Sequence, residues 1–283
     1  MSRIGLVADS SCGLPRGIAE QYGIEIVPID LIIDDVPRSN YTTNELIDGL
    51  TANRRVTTSR PSPERFVQAY ESLMEQGCTS IVVATLSSKL SGTYESALLS
   101  RELVDLDIQV VDTRTVGLGF GFAVLDAARS SQAHSLEQVA DLIRRQSEQA
   151  KVYFYLDSLE FLRRGGRIGA ASAFIGTALS VKPILQIAQG AVMPFAKVRT
   201  ESKALDRLVD AALSSQANSR NPRFGVEHLG ASDRADYCAE KLRLAHPDAE
   251  IILSEVSAVI GAHAGPGLVA VSASDNPQEI NQI

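Results

Sequence analysis

Four short stretches of this chain hold side chains that could do chemistry, and three of them set hydroxyls or a guanidinium beside a helix end. In TLSSKLSGTYES (85–96) an apolar strand ends near Leu86 and a helix starts near Ser91 and Gly92. A loop at the carboxyl end of a strand in an open α/β sheet is a ligand position, and the free N–H groups of the following helix favour an anion. Ser91 could cap that helix, and Gly92 would let a ligand reach the backbone. Ser91 reads equally as a plain N-cap, with Ser87 and Ser88 as loop solvation. In VTTSRPSP (56–63), Thr57, Thr58 and Ser59 precede a helix opened by Ser62 and Pro63, which turn and capping chemistry alone also explains. In FLRRGGRIG (161–169), Arg167 follows Gly165-Gly166 and could bend into a cleft to meet a carboxylate or phosphate, or rest at the surface. Arg199, in KVRT, ends a hairpin strand and has the same two readings.

The fourth stretch, VIGAHAGPG (259–267), reads as a loop that sets His263 among small residues. Its histidine is either of no consequence or stands where the backbone has been cleared for something to approach. His134, His228 and His246 show no ligand spacing to one another or to acidic residues, so no metal site and no cofactor are expected. GxSxG, a Walker A sequence and a GxGxxG after the first strand are all absent. GLGFG (117–121) lacks the spacing of a nucleotide loop and is set aside.

The bulk properties limit the partners. The net charge is −7 without a long basic run, which argues against a nucleic-acid surface, and an anionic ligand would need local donors. Cys12, Cys78 and Cys238 are odd in number, far apart and without a CxxC, which fits a reducing compartment. No signal-peptide pattern opens the chain, and the longest apolar stretch, IGAASAFIGTALSV (168–181), has 14 residues, too few to span a bilayer. A cytoplasmic monomer without an integral membrane segment is expected.

The positioning elements follow from periodicity. RIGLVADS, IEIVPIDLII, TSIVVATL and IQVVDT read as strands; SPERFVQAYESLMEQG, SGTYESALLSREL and SLEQVADLIRRQSEQ read as helices. Ser135 with Gln138 forms a candidate capping box in the last of these. The alternation predicts an α/β domain over 1–150, with a doubly wound, mostly parallel sheet. Beyond it come the strand KVYFYLDS, the helix SLEFLRR, a small-residue helix AASAFIGTAL and a hairpin turning at Gln189-Gly190. A helix from Ser202 to about Ala217, the strand RFGVEHL, the helix SDRADYCAEKLRLA, and the strands EIILSEVS and LVAVSAS complete the chain. This half predicts an α+β domain over 151–283 with a largely antiparallel sheet.

In order, ADSSCGLP, TSRPSP, SSKLSGTYESA, LEFLRRGGRIG, KPIL…KVRT and IGAHAGPG resemble the DegV family of fatty-acid-binding proteins over nearly the whole chain. The resemblance implies a long-chain fatty acid between the two domains, its acyl tail in a hydrophobic tunnel. By motif, Thr58, Ser91 and His263 would hold the carboxylate beside Gly92, with Arg167 and Arg199 in support. It also implies a carrier without catalysis, which in some members presents the acid to a fatty acid kinase that turns the carboxylate into an acyl phosphate. Arg60 stands where the family usually has Gln, at the ligand mouth or the docking face. ASAFIGTALSV is a candidate tunnel lining, or an ordinary core helix. About fifteen buried methylenes at about 0.8 kcal/mol each would contribute roughly 12 kcal/mol as an upper bound, which suits slow release. Two alternatives are a Ser–His acyl-ester hydrolase using Ser91 and His263, and a binder of a phosphorylated metabolite through Arg167.

Overall fold

The computed structural model describes residues 3–38, 42–174 and 181–277. The first half contains β1 (Ile4–Asp9), α1 (Arg16–Gln21), β2 (Ile24–Val27), β3 (Leu31–Ile33), β4 (Val36–Arg38), α2 (Thr43–Thr51), β5 (Val56–Thr58), α3 (Pro63–Glu75), β6 (Ser80–Thr85), α4 (Thr93–Arg101), β7 (Asp107–Asp112), α5 (Leu118–Ser130) and α6 (Leu136–Gln149). The second half contains β8 (Lys151–Tyr155), α7 (Glu160–Arg164), β9 (Lys182–Ala188), β10 (Ala191–Val198), α8 (Glu201–Ser215), β11 (Pro222–His228), α9 (Ser232–Ala245), β12 (Glu250–Glu255), α10 (Ala258–Ala264) and β13 (Val269–Asp275). None of the described helices is long and apolar enough to cross a membrane.

One sheet, β2-β1-β6-β7, is parallel throughout. All six residues of β1 and of β6 are buried, as expected of strands covered by helices on both faces. The second sheet, β10-β9-β8-β13-β11-β12, is antiparallel except for the β11–β12 pair. Its β9–β10 hairpin turns at Gln189 (φ 52°) and Gly190 (φ 80°), the paired left-handed geometry of a tight hairpin. Both sheet types match the expectation from periodicity, as does the Ser135–Gln138 capping box on α6.

Four local readings change. IEIVPIDLII is two strands, because Pro28 has no N–H to continue the ladder with β1. After it the chain leaves for a separate three-stranded sheet, β4-β3-β5. Helix α2 was not anticipated, although Thr42 and Glu45 form a full capping box. AASAFIGTAL (170–179) overlaps a single 3₁₀ turn, Gly169–Phe174; positions 175–180, and with them most of the candidate tunnel lining ASAFIGTALSV, lie outside the described residues. Finally, GLGFG opens α5, a helix the sequence reading did not contain.

Helix α5 is the wedge between the two sheets. Phe120, Ala123, Val124 and Ala127, at i, i+3, i+4 and i+7, join the core under the parallel sheet. Leu118 and Phe122 face the other way, onto Ile252 of β12. Strand β11 meets this second face with Arg223, Gly225 and Glu227. The Arg223 guanidinium makes two parallel bonds of 2.8 Å to the Asp126 carboxylate and lies 4.2 Å from the centre of the Phe122 ring. At Gly225 any Cβ would come within 2.6 Å of Leu118, so a glycine here sets how closely helix and sheet approach. Glu227 accepts the Leu118 N–H at 2.9 Å, satisfying an orphan donor of the helix start.

Asp126→Ala should therefore leave a buried guanidinium that cannot lose its proton. The expected cost is about 3 kcal/mol, the lower part of the range for breaking a buried pair, because Glu250 stands 3.7 Å from the same guanidinium. Urea unfolding followed by circular dichroism measures it, since the chain has no tryptophan. A loss under about 1 kcal/mol would show that the pair does not hold the wedge.

Candidate functional site

A cavity of about 100 Å³ lies between the α5-facing side of the second sheet and the loops of the first half. Its sheet wall is built from Val152 and Phe154 of β8, Ile187 of β9, Val192 of β10, Ala270 of β13 and Glu227 of β11. In the pairing register Val152 is opposite Ile187, Ile187 opposite Val192, and Phe154 and Glu227 are both opposite Ala270. These residues share one face because cross-strand partners do. The opposite wall comes from Leu86, Leu90 and Ser91 before α4, from Val116 and Gly117 before α5, and from Thr58. Helix α10 closes a side with Val259, Ile260, His263 and Ala264. The lining is apolar apart from Thr58, Ser91, Arg167, His263 and Glu227.

Four of these polar residues form one connected group. Thr58, at the end of β5, has Oγ1 2.8 Å from Nε2 of His263. The backbone of Gly165 lies against the same imidazole: a Cβ there would overlap His263 Nδ1. Arg167 donates from Nη1 to the Gly165 carbonyl at 2.6 Å and from Nε to the Leu90 carbonyl at 2.9 Å, tying the end of α7 to the loop before α4. Ser91 follows Leu90 and its hydroxyl lies 2.8 Å from that of Thr93. Burial, reinforced by the neighbouring Arg167 charge, holds the His263 imidazole down to about 4, so it is neutral at pH 7 with one donor and one acceptor nitrogen.

The Ser91 loop is pinned from below by two strand-terminal aspartates. Asp9, fully buried at the end of β1, accepts the Leu86 N–H at 2.7 Å and the Ser11 N–H at 2.9 Å. Asp112, at the end of β7, accepts the Ser88 hydroxyl at 2.5 Å and the Arg114 N–H at 2.9 Å. The loop is tied above as well, where Ser87 donates to the Gly190 carbonyl at the hairpin tip at 2.6 Å. Asp9 and Asp112 thus position the loop, and the Ser87 bond joins it to the second sheet.

The structure brings Thr58, Ser91, Arg167 and His263 together and leaves two expected residues apart. Arg199 is exposed just beyond β10 and does not line the cavity, because the hairpin carries its end out to solvent. Gly92 is the N-cap position of α4, but the Arg60 side chain lies over it, with Cδ 3.1 Å from where a Cβ would stand. VIGAHAGPG is not a loop: Ser257 caps α10, and His263 sits in its last turn. The room beside two of its glycines is filled by protein, Leu46 and Leu229 at Gly261 and Phe161 at Gly265, so these two serve close packing, while Ala264 lines the cavity. Ser91 and His263 share no hydrogen bond among the described residues; the imidazole pairs with Thr58, and the nucleophile–base contact that an ester hydrolase needs is not formed. No group of three or more His, Cys, Asp or Glu among the described residues could hold a metal.

Sequence reasoning missed Gly165 and Glu227. Gly165 was read as a hinge for Arg167, but its missing side chain is what admits the imidazole. Glu227 lies 2% exposed against the cavity, without a cationic partner, and burial pushes its carboxyl up to about 7. A lone Glu in the apolar strand RFGVEHL was its only signal.

Two outcomes follow. In Gly165→Ala the ring must move away from its burial beside Arg167, and its NMR titration should shift from about 4 toward the ordinary 6.5; an unmoved titration would refute the packing constraint. For Glu227 the folded pKa lies above the unfolded one. Between about 4.5 and 7 the native state therefore holds a proton that the unfolded chain has released. The resulting penalty is present above pH 7 and fades as pH falls to about 4.5. Relative to wild type, Glu227→Gln should gain stability above pH 7, and the gain should shrink toward pH 4.5. Paired chemical denaturation across that range checks the sign.

Comparison with known proteins places this architecture. The model of the DegV family, described as "Uncharacterised protein, DegV family", matches residues 3–276. A DegV domain-containing protein of Streptomyces coelicolor is 41% identical over 97% of this chain and 99% of its own. The solved structure of a Thermus thermophilus DegV family protein, described as fatty acid binding, superposes with a TM-score of 0.91 at 31% identity, covering 97% of this chain and all (100%) of that one. DegV of Bacillus subtilis, described as a fatty acid binding protein, gives 0.88 at 29% identity, covering 98% and 100%. By family match, by identity along nearly its full length and by fold, this chain belongs to the DegV family.

Proposed function

We propose that this chain binds a long-chain fatty acid between two domains, 1–150 and 151–283, and carries it without transforming it. The observation that carries the reading is the placement of Thr58, His263, Arg167 and Ser91 together at one part of a mainly apolar cavity. A fatty acid needs both surfaces: donors for one carboxylate, and an apolar slot for the chain. The fatty-acid binding described for the Thermus and Bacillus relatives supports it.

The donors work without a fixed positive charge on the imidazole. With its proton on Nε2, neutral His263 donates to Thr58 Oγ1, which turns the threonine O–H toward the ligand. Ser91 supplies a second hydroxyl beside the start of α4, where the helix dipole favours negative charge. Arg167 acts chiefly as a brace, since its bonds to the Gly165 and Leu90 carbonyls fix the imidazole's seat and the serine loop together. Each bond to the carboxylate is worth about 1.5–3 kcal/mol. Arg199 is not part of this site. Presentation of the bound acid to a fatty acid kinase is the finer proposal, and exposed Arg60 beside Gly92 is a contact such a partner would meet.

Purified protein should yield a long-chain fatty acid on extraction. In delipidated protein, Thr58→Val and His263→Ala should each weaken binding about tenfold or more. A native mass spectrum showing only the bare chain, together with no acid recovered and none taken up, would sink the reading.

A further inference from the structure

We propose that the sheet wall of the cavity carries a second recognition point, centred on Glu227, for a hydroxyl group borne on the hydrocarbon chain of the bound acid. This rests on the fatty-acid reading and adds the chemistry of the tail to it.

The argument begins with unsatisfied atoms. Glu227 lines the cavity, is 2% exposed, and accepts the Leu118 N–H on Oε2; its Oε1 is buried and has no partner among the described residues. Ser254 lies directly across from Glu227 on β12, and its hydroxyl is also buried without a partner. Ser272, opposite both Gly225 of β11 and the cavity residue Val152 of β8, is the same. All three project from the face of the second sheet that meets α5. A buried polar group without a partner costs about 1–3 kcal/mol, so such a group on the wall of a binding cavity marks a place for a ligand atom.

The chemistry of the place selects the ligand atom. Arg223, four residues earlier on the same face, is held by Asp126, so no cation is free there for a second carboxylate. A charged amine would pay heavily to enter an aliphatic slot. A hydroxyl suits Glu227 in either protonation state, donating to an ionised Oε1 or accepting from a protonated one, and it adds no charge to the tail. The carboxyl is also held in place, since it packs against Gly13 and Gly117 where no side chain could fit beside it. A plain hydrocarbon tail would leave Oε1 unsatisfied.

The test uses the delipidated full chain, with stearic acid and a positional series of monohydroxystearic acids in competition. The readout is the affinity ratio of each isomer to stearic acid within one protein. In wild type one position along the chain should bind about tenfold tighter than stearic acid, the worth of one buried hydrogen bond plus relief of the unpaired oxygen. The ratio should persist in Glu227→Gln, which keeps an acceptor for Leu118 and a polar atom for the hydroxyl, and should fall to one or below in Glu227→Leu. If stearic acid binds and no isomer surpasses it in wild type, Glu227 faces water or nothing and the inference fails alone. An undiminished preference in Glu227→Leu overturns it too, and the wild-type result decides if that variant does not fold. If stearic acid itself does not bind, it is the fatty-acid reading that has failed.

Discussion

The seating of α5 between two sheets is the constraint on which the rest of this molecule depends. A helix buried on all sides must satisfy its first N–H groups internally and cannot carry a lone charge. Here Glu227 takes the Leu118 N–H, and Arg223 neutralises Asp126 with two parallel bonds. Buried ion pairs add little net stability against an apolar pair of similar shape. Their worth in this position is geometric: a planar fork fixes the rotation and register of α5 on β11, and the glycine between the two anchors sets the depth. The parallel sheet then rests on one face of α5 and the mixed sheet on the other.

The cavity is a consequence of that seating. Gly119, in the first turn of α5, packs on Val152; beyond it the sheet face runs on through Ile187 and Val192 along the cavity. The cover there comes from the loop before α4, fixed by hydrogen bonds to Asp9 and Asp112 below, Ser87 to Gly190 above and Arg167 to Leu90 at the side, and from α10, packed on Leu46 and Leu229 at Gly261. An aliphatic slot with a polar end is therefore built from the ends of elements, which is where backbone donors and hydroxyls are available. The depressed imidazole of His263 belongs to the same logic: beside an arginine and out of water, a neutral donor costs less than a second cation.

Much of this was legible in the sequence wherever a local pattern determines the outcome. Unbroken apolar runs marked β1 and β6, a capping box marked α6, and the hairpin turn fell at Gln189-Gly190. The elements that were missed owe their form to distant partners. Helix α5 reads as a glycine-rich oddity because its glycines admit Thr115 and the Cys12 carbonyl, which no window of the chain can show. The small residues of VIGAHAGPG were seen, but their purpose depends on Leu46, Leu229 and Phe161, far away in sequence. Arg199 and Arg167 were alike on paper. What separates them is that the turn after α7 points inward at a carbonyl of the other half, whereas the end of β10 points to water. The imidazole and the hydroxyls were singled out by the resemblance of their motifs; read alone, each was equally a capping or loop residue. Glu227 needed the third dimension, because only the register of five strands shows it among cavity residues.

The distribution of bonds also bears on where the cavity would open for the proposed ligand. Parting α5 from β11 would strand a guanidinium and a carboxylate together, at several kcal/mol. Parting the lid elements breaks neutral or singly charged hydrogen bonds: Ser87 with Gly190, Arg167 with Leu90, Thr58 with His263. Each contributes about 1 kcal/mol net, and each group can turn to water once released. The lower barrier therefore lies at the polar end, where a fatty acid bound as proposed would meet solvent with its carboxylate first and its tail last. On the proposed carrier reading, an acid leaving in that order would expose its reactive group while its hydrocarbon was still covered, which is the arrangement another protein would need to act on the head group before the tail is released.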